Sequence, residues 1–310
     1  VLAGGEGERT RAFIEERLGY ARPKQYCAFT GSRSLFQHTV DRADALASPT
    51  CRVVVAAPEH RGYLREQLSG REGGEVLLQP RARGTGVGVF LGVTSVLARD
   101  PSATVVIYPS DHFVYPESAF LNVVRTAVRS AERFANGPVL LGVRPSGPEI
   151  DYGWILPSPG PTDDPALRVE AFLEKPTRRA AEEALRKGGL WNTLIVASRA
   201  AALWELGWRT VPEIMPAFVR FREAVGAGGD DAALEEIYPG LPSRDFSADV
   251  LERASDRLRV LEMSGVWWND WGRPERILET LRALERSAEL PEPLALERGE
   301  RLYSEARSAS

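Results

Sequence analysis

Three short, nearly continuous apolar runs constrain this chain most: Arg52-Val53-Val54-Val55-Ala56-Ala57, Ala103-Thr104-Val105-Val106-Ile107-Tyr108 and Val139-Leu140-Leu141-Gly142-Val143. A run of this length without polar alternation predicts a strand covered on both faces. Between the runs the pattern turns helical: near 34–47, where Ser34 can cap, near 60–69, from the 81–88 loop to about 98, and over 117–134. Buried strands alternating with amphipathic helices predict an α/β fold with a doubly wound, mostly parallel sheet. In such sheets ligands collect beyond the carboxyl ends of the strands. The polar punctuation of the first half falls at those ends: the first loop, the 79–88 loop and Asp111.

The first of these loops is Val1-Leu2-Ala3-Gly4-Gly5-Glu6-Gly7-Glu8-Arg9. Glycines after an apolar strand end let backbone N–H groups approach a ligand, forming a nest suited to phosphate oxygens. Arg9 adds a permanently charged fork. The GGxGxR spacing matches neither the dinucleotide fingerprint nor a Walker A loop, so the residues predict a phosphate contact or a plain tight turn. The chain opens inside this strand, so native residues are expected before Val1. Residues 10–24 read as a polar loop with helical fragments. After the strand Glu75–Pro80 comes a second glycine-rich loop, Arg81–Gly88, which opens a helix. Asp111 reads either as a Mg²⁺ ligand completed by substrate phosphates or as the cap of the helix starting near Glu117. His38 reads as a half-buried helix residue, His60 as a loop residue and His112 as a loop residue bonded to backbone.

Composition excludes several classes. The chain has 310 residues and a net charge of −4, which gives no reason to expect nucleic acid. No apolar run approaches eighteen residues, and no signal peptide is evident. Cys27 and Cys51 read as small core residues in a reducing cytoplasm. Of 39 basic residues only Lys24, Lys175 and Lys187 are lysine. Where arginine is the default, a retained lysine can mark a need for a compact point charge. Lys187 closes a helix, leaving Lys24 and Lys175 as site candidates.

After Val143 the character changes. Ile150–Leu156 and Leu167–Leu173 read as half-exposed strands of a β-ribbon over the open end of the sheet, joined by a Pro-, Gly- and Asp-rich turn. Glu174-Lys175 and Asn192 follow, a set suited to a sugar phosphate or equally to a surface ion pair beside a turn. Residues 199–237 read as helical, with Trp204 and Trp208 on one core stripe and a flexible break at Gly226–Asp231. In Trp267-Trp268-Asn269-Asp270-Trp271-Gly272, aromatic residues surround a carboxylate that suits a second metal ligand or an Asx-turn. A helix near 276–287 leads into a charged tail.

Taken together, Leu-Ala-Gly-Gly-x-Gly-x-Arg, Pro-Lys-Gln, Gln-Pro with Gly-Thr, Pro-Ser-Asp-His, Tyr-Gly-Trp-Ile, Phe-Leu-Glu-Lys-Pro, Trp-Asn and Trp-x-Asp-x-Gly resemble the sugar-1-phosphate nucleotidyltransferase family. The mannose-1-phosphate guanylyltransferase branch is the nearest in pattern, and the resemblance runs from Leu2 to about Leu281. It implies a Rossmann-like, GT-A-like core with a mixed sheet, a sugar-binding β-ribbon and C-terminal helices. The catalytic domain would cover 1–285, with a nucleotide half of about 1–145, a sugar-phosphate half of about 146–285 and a tail over 286–310. The resemblance implies nucleotide binding by Leu2, Ala3, Gly4, Gly5 and Gly7, with Arg9 and Lys24 on the triphosphate and Gln79, Gly84 and Thr85 at the base and ribose. Asp111 and Asp270 match metal ligands for Mg²⁺ or another divalent cation. Gly153, Glu174, Lys175 and Asn192 match the sugar-phosphate site.

The partners so implied are a nucleoside triphosphate and a sugar 1-phosphate, with no nucleic acid or membrane, and a homodimer is left open. GTP with mannose 1-phosphate leads. Glucose 1-phosphate with UTP, dTTP, CTP or ATP, or a non-catalytic nucleotide-sugar-binding relative, are the alternatives. The pattern departs at Glu8 and Thr10, at Gly86-Val87-Gly88 in place of Ala-Pro-Ala, and at Thr193-Leu194 where Ser-Gly is common. No β-helix or cupin-like extension follows, so these residues imply no second activity.

Overall fold

The structure is a computed structural model and describes residues 1–158, 160, 163–227 and 230–288. Gly7, in the left-handed conformation (φ 63°), turns the first loop directly into helix α1 (Glu8–Leu18). The expected polar loop at 10–24 is therefore largely helical, with Glu8 in the first turn, Arg17 in the last and Gly19 closing the end. Only Thr10 and Ile14 of α1 are buried, too few to leave a hydrophobic period in the sequence.

Helix α2 (Leu35–Asp44) begins with a reciprocal capping box between Ser34 and Gln37. Strand β1 (Val53–Ala56) is buried at every position. Helix α3 (Arg61–Gln67) returns the chain to β2 (Glu75–Leu78), which pairs parallel with β1. Then follow α4 (Gly84–Arg99), β3 (Thr104–Ile107), β4 (Phe113–Tyr115), α5 (Glu117–Arg133) and β5 (Val139–Val143). The second half contributes β6 (Trp154–Pro157), β7 (Leu167–Leu173), α6 (Arg178–Arg186), β8 (Leu190–Arg199), α7 (Ala200–Thr210), α8 (Met215–Ala227) and α9 (Asp230–Ile237). The last elements are β9 (Arg259–Glu262), β10 (Trp267–Asn269) and α10 (Pro274–Ala288).

Among the described residues, the central sheet has six strands in the order β3-β8-β5-β9-β7-β6, with only β5 and β9 parallel. Parallel pairing otherwise joins β1 to β2 and, through Leu2, reaches Val55 and Pro109. The sheet is thus mixed, as the family resemblance implied, and the mostly parallel expectation drawn from the apolar runs alone is corrected. The cause is β8, a long strand that runs antiparallel between β3 and β5. Its polar residues hid it from a hydropathy reading. Thr193 and Ser198 are fully buried, and their hydroxyls donate to the carbonyls of Leu141 and Arg199.

The β6–β7 pair forms as expected but does not lie over the open end of the sheet. Trp154, Ile155 and Leu156 of β6 are buried, and the pair is built into the sheet through β8 and β9. Alternation along β5 shows the two covered faces: Leu140 packs in one core with α4, α7 and α8, and Val139, Leu141 and Val143 pack in another with α5. Trp208 is exposed and Trp204 only half-buried, so the expected tryptophan stripe is not core. The buried stripe of α7 is instead Leu203, Leu206, Gly207 and Thr210. Cys27 is buried, whereas Cys51, in a short turn before β1, is exposed. Positions 159, 161 and 162 of the ribbon turn, 228–229 of the expected break and 289–310 of the expected tail lie outside the described residues.

Candidate active site

A cleft of about 640 Å³ opens where the glycine loop, the start of α4 and the ends of β3 and β10 meet. Leu2, Gly4, Gly5, Gly7, Arg9, Lys24, Gln79, Gly84, Thr85, Asp111 and Asp270 all border it. Backbone pairing sets the loop in place: Leu2 N–H donates to Tyr108 O at 2.8 Å, Ala3 N–H to Val55 O at 2.7 Å and Ser110 N–H to Leu2 O at 3.0 Å. Beneath it, the Gln25 amide donates to the carbonyls of Ala3 (3.1 Å) and Gly5 (2.8 Å). His60 is buried under the loop with Nδ1 at 2.9 Å from Ala3 O, and so is a supporting core residue rather than a loop residue. These bonds occupy the carbonyls of Leu2, Ala3 and Gly5. Arg9 stands exposed on the first turn of α1 at the rim.

Asp111 and Asp270 are brought together by a small antiparallel pair. Phe113 of β4 pairs with Asn269 of β10, and Val114 pairs with Trp268, so the two aspartates sit at the same end of that ribbon. Lys24 links them. Its ammonium, 4% exposed, lies 3.0 Å from Asp111 Oδ2 and donates to the backbone carbonyls of Asp270 and Trp271. Desolvation pushes the Asp111 carboxyl up, but Lys24 and His112 beside it outweigh this and hold it below its ordinary value. Asp111 does not cap α5, whose N-cap is Pro116.

The indole N–H of Trp268 donates to His112 Nδ1 at 3.2 Å, fixing Nδ1 as the acceptor and leaving Nε2 facing Asp111 Oδ1 at 3.6 Å. His112 is thus held by a side chain, not by backbone as the sequence suggested. Desolvation lowers its pKa, against the pull of Asp111.

Asp270 is fixed through one oxygen. Its Oδ1 accepts from Tyr152 Oη (2.7 Å), Gly272 N–H (2.9 Å) and Arg276 Nη1 (3.0 Å). The Gly272 bond is the Asx-turn foreseen as an alternative; it coexists with the place of Asp270 on the cleft wall. Desolvation raises its pKa, but His112, these donors and Arg276 prevail and lower it. No group of three or more His, Cys, Asp or Glu side chains suited to a metal occurs among the described residues. The two aspartates on the cleft wall are a partial oxygen donor set that fits a hard divalent cation, with the remaining positions left to water or to ligand oxygens.

On the opposite wall, Gln79 Oε1 accepts from Tyr238 Oη at 3.2 Å. Gly84 is left-handed (φ 81°) and packs so closely that a Cβ would collide with Arg244 O. The Thr85 hydroxyl accepts from Phe246 N–H (2.8 Å) and donates to Asp245 Oδ2 (3.2 Å). Among the sugar-side candidates, Gly153, Glu174 and Asn192 come together. Gly153 O accepts from Asn192 N–H at 2.8 Å, and a Cβ on Gly153 would meet Glu174 Oε2 at 2.7 Å. Desolvation raises the Glu174 pKa to about 7 despite Lys175. Lys175 is 66% exposed and pairs with Glu174 at 3.6 Å, and none of Gly153, Glu174, Lys175 and Asn192 borders the cleft. Three described non-glycine residues have positive φ: Lys175 (43°), Leu194 (58°) and Trp271 (48°). All three adjoin these groups, and such strain persists only where surrounding structure enforces it.

Tyr152, Ser247, Glu252 and Arg276 also shape the site, although none was expected there from the sequence. Ser247 Oγ accepts from the Asn192 amide at 3.3 Å, and the Glu252 carboxylate accepts from Glu174 N–H at 3.1 Å. Both lie on one irregular helical stretch, Phe246–Arg257, that also holds Thr85. Nothing in its composition marked it.

The family model for nucleotidyl transferases matches residues 1–287. The chain belongs to this family. As a nucleotidyl transferase, it is 31% identical over 282 residues to the alginate biosynthesis protein AlgA of Pseudomonas aeruginosa, covering 88% of this chain and 56% of that protein. It is 27% identical to a mannose-1-phosphate guanylyltransferase of Escherichia coli, covering 88% of this chain and 59% of the relative. The chain therefore spans a little under three fifths of these curated relatives. A Thermus thermophilus structure described as a "mannose-1-phosphate geranyltransferase" superposes with a TM-score of 0.73 at 30% identity, covering 89% of this chain and 77% of that one. No described helix is long and apolar enough to cross a membrane.

Proposed function

We propose that this nucleotidyl transferase moves a nucleotidyl group from a nucleoside triphosphate to a sugar 1-phosphate and releases pyrophosphate, with GTP and mannose 1-phosphate as the favoured pair. The observation that carries the reading is the Lys24 contact that ties Asp111 to the Asp270 segment at the foot of the glycine-lined cleft. The names of the relatives support the mannose and guanylyl choice.

In the reaction, a phosphate oxygen of the sugar 1-phosphate attacks the α-phosphorus in line. A new O–P bond forms as the bond to the β-phosphate oxygen breaks, and pyrophosphate leaves with that electron pair. The nucleophile is already ionised, so no general base is required, and the work is positioning and charge neutralisation. The amides of Gly4, Gly5 and Gly7 and the Arg9 guanidinium bind the triphosphate, and Lys24 holds Asp111 in place beside it. Gln79, Gly84 and Thr85 face the base and ribose. Asp111 and Asp270 Oδ2 would hold a divalent cation, which when bound neutralises charge on the phosphates. Glu174 and Asn192 orient the sugar against Gly153, and Lys175 meets its phosphate from the solvent side.

Residues 1–145 form the nucleotide half and 146–285 the sugar-phosphate half, within a cytoplasmic protein. Pyrophosphate release measured across a grid of triphosphates and sugar 1-phosphates tests the reading. Highest turnover with GTP and mannose 1-phosphate is expected, and no release with any pair would remove the assignment.

A further inference from the structure

Arg276, on the first turns of α10, has a side chain only 13% exposed, an unusual depth for a guanidinium. Both ends of its fork are engaged. Nη1 donates to Asp270 Oδ1 at 3.0 Å and to Tyr152 Oη at 2.6 Å, and Nη2 donates to Glu149 Oε2 at 2.6 Å. The guanidinium also lies 4.5 Å from the Tyr152 ring centroid. Tyr152 in turn donates to the same Asp270 oxygen. A neighbouring ion pair, Arg273 with Asp151, ties the same two segments a second time. The segment 149–152 runs straight into Gly153, the backbone floor under Glu174 and Asn192.

We propose that Arg276 is a positioning residue that locks Asp270 through Oδ1, so that Oδ2 alone is presented to a divalent cation, and fixes that oxygen relative to the sugar-facing loop 149–153. Two physical effects compete at such a contact. A cation beside a carboxylate weakens its pull on a metal, whereas a fork that fixes the carboxylate removes the ordering penalty on binding. Three contacts on two different segments require the planar fork, which lysine cannot reproduce. Orientation is therefore the larger effect.

The inference rests on the metal role proposed for Asp270, and its test is separable from turnover. Mn²⁺ binding to the metal-free protein is titrated by electron paramagnetic resonance, without nucleotide or sugar, for wild type, Arg276→Lys, Arg276→Met and Tyr152→Phe. Arg276→Lys keeps the charge and loses the fork; it and Arg276→Met are expected to weaken Mn²⁺ binding about 10-fold or more. Tyr152→Phe, which keeps the Arg276–Asp270 contact, should weaken it less. At saturating divalent cation, with the other substrate held fixed, Arg276→Lys should raise the KM for sugar phosphate while leaving that for nucleotide unchanged. Wild-type-like Mn²⁺ affinity in Arg276→Lys, tighter binding in Arg276→Met, or no Mn²⁺ binding by wild type would each overturn the proposal. Weakened binding in a protein that releases no pyrophosphate from any substrate pair would keep Arg276 in this role and reject the transferase reading instead.

Discussion

The Lys24 ammonium and the Asp111 carboxylate meet at 3.0 Å, the first almost wholly buried and the second 37% exposed to the cleft. Lys24 thus looks inward to the carbonyls of Asp270 and Trp271, and Asp111 looks outward to where a ligand enters. Replacing Lys24 by methionine leaves those carbonyls without their donor and Asp111 without its counter-charge. Thermal unfolding should report a loss of about 1–3 kcal/mol, because unsatisfied buried acceptors cost about that much and the exposed carboxylate adds little. Turnover should fall by at least 100-fold. An unchanged melting temperature would show that the buried ammonium is not what holds the two segments together.

Asp111→Ala removes a carboxylate that faces the cleft and is the counter-charge of the buried Lys24 ammonium. Pyrophosphate release should drop by several powers of ten, and stability should fall by about 3 kcal/mol, because an unpaired buried charge is left behind. Chelation of divalent cations from the wild-type protein should abolish turnover equally, and it should leave the melting temperature nearly unmoved, since no closed protein cage surrounds the site among the described residues.

Glu174 gives a pH dependence of known sign. Its pKa stands at about 7 in the folded protein against an ordinary 4.5, so the native state holds an extra proton between those values. That stabilising contribution is complete below about pH 4.5 and is lost as pH rises through 7. Glu174→Gln keeps a neutral side chain throughout. The variant should be the more stable protein at pH 8, by on the order of 2 kcal/mol, and should lack the wild-type decline between pH 5 and 7. Parallel denaturant titrations across that range would decide it, and parallel curves for the two proteins would refute the expectation.

Gly84→Ala drives a methyl group into Arg244 O at a backbone angle that disfavours any side chain. The start of α4 must then part from the 243–246 segment that secures Thr85. A loss of about 2–4 kcal/mol is expected in chemical denaturation, from the strained backbone and forced displacement together. The KM for nucleotide should rise, with that for sugar phosphate little changed. Equal rises in both would place the 84–85 turn outside the nucleotide half.

Local signals carried much of the architecture. The apolar runs of β1 and β5 and the Ser34 cap are short-range effects, set by solvent exclusion and by one side chain reaching its own helix terminus, and they appear where their residues predict them. Helix α1 was harder to see, because it buries only Thr10 and Ile14 and so writes no period into the chain. Strand β8 was missed for the opposite reason. Its buried Thr193 and Ser198 look solvent-loving until their hydroxyls meet carbonyls, and one of those belongs to a different strand. The nominated cleft residues came from glycine spacing, scarce lysines and family pattern; Tyr152 stood in the Tyr-Gly-Trp-Ile pattern without being nominated, and Ser247, Glu252 and Arg276 carried no such mark.

By itself, the sequence determined the glycine-lined loop at a strand end, the carboxylates available near it and the alternation that demands a sheet covered on both sides. Each follows from backbone freedom or hydrophobic period over a few residues. Only the tertiary structure decided that β8 runs antiparallel between β3 and β5, that β4 and β10 bring Asp111 beside Asp270, and that Arg276 engages one Asp270 oxygen and not the other. Those outcomes depend on hydrogen-bond partners drawn from remote parts of the chain, and no local pattern encodes which distant donor will find a given acceptor.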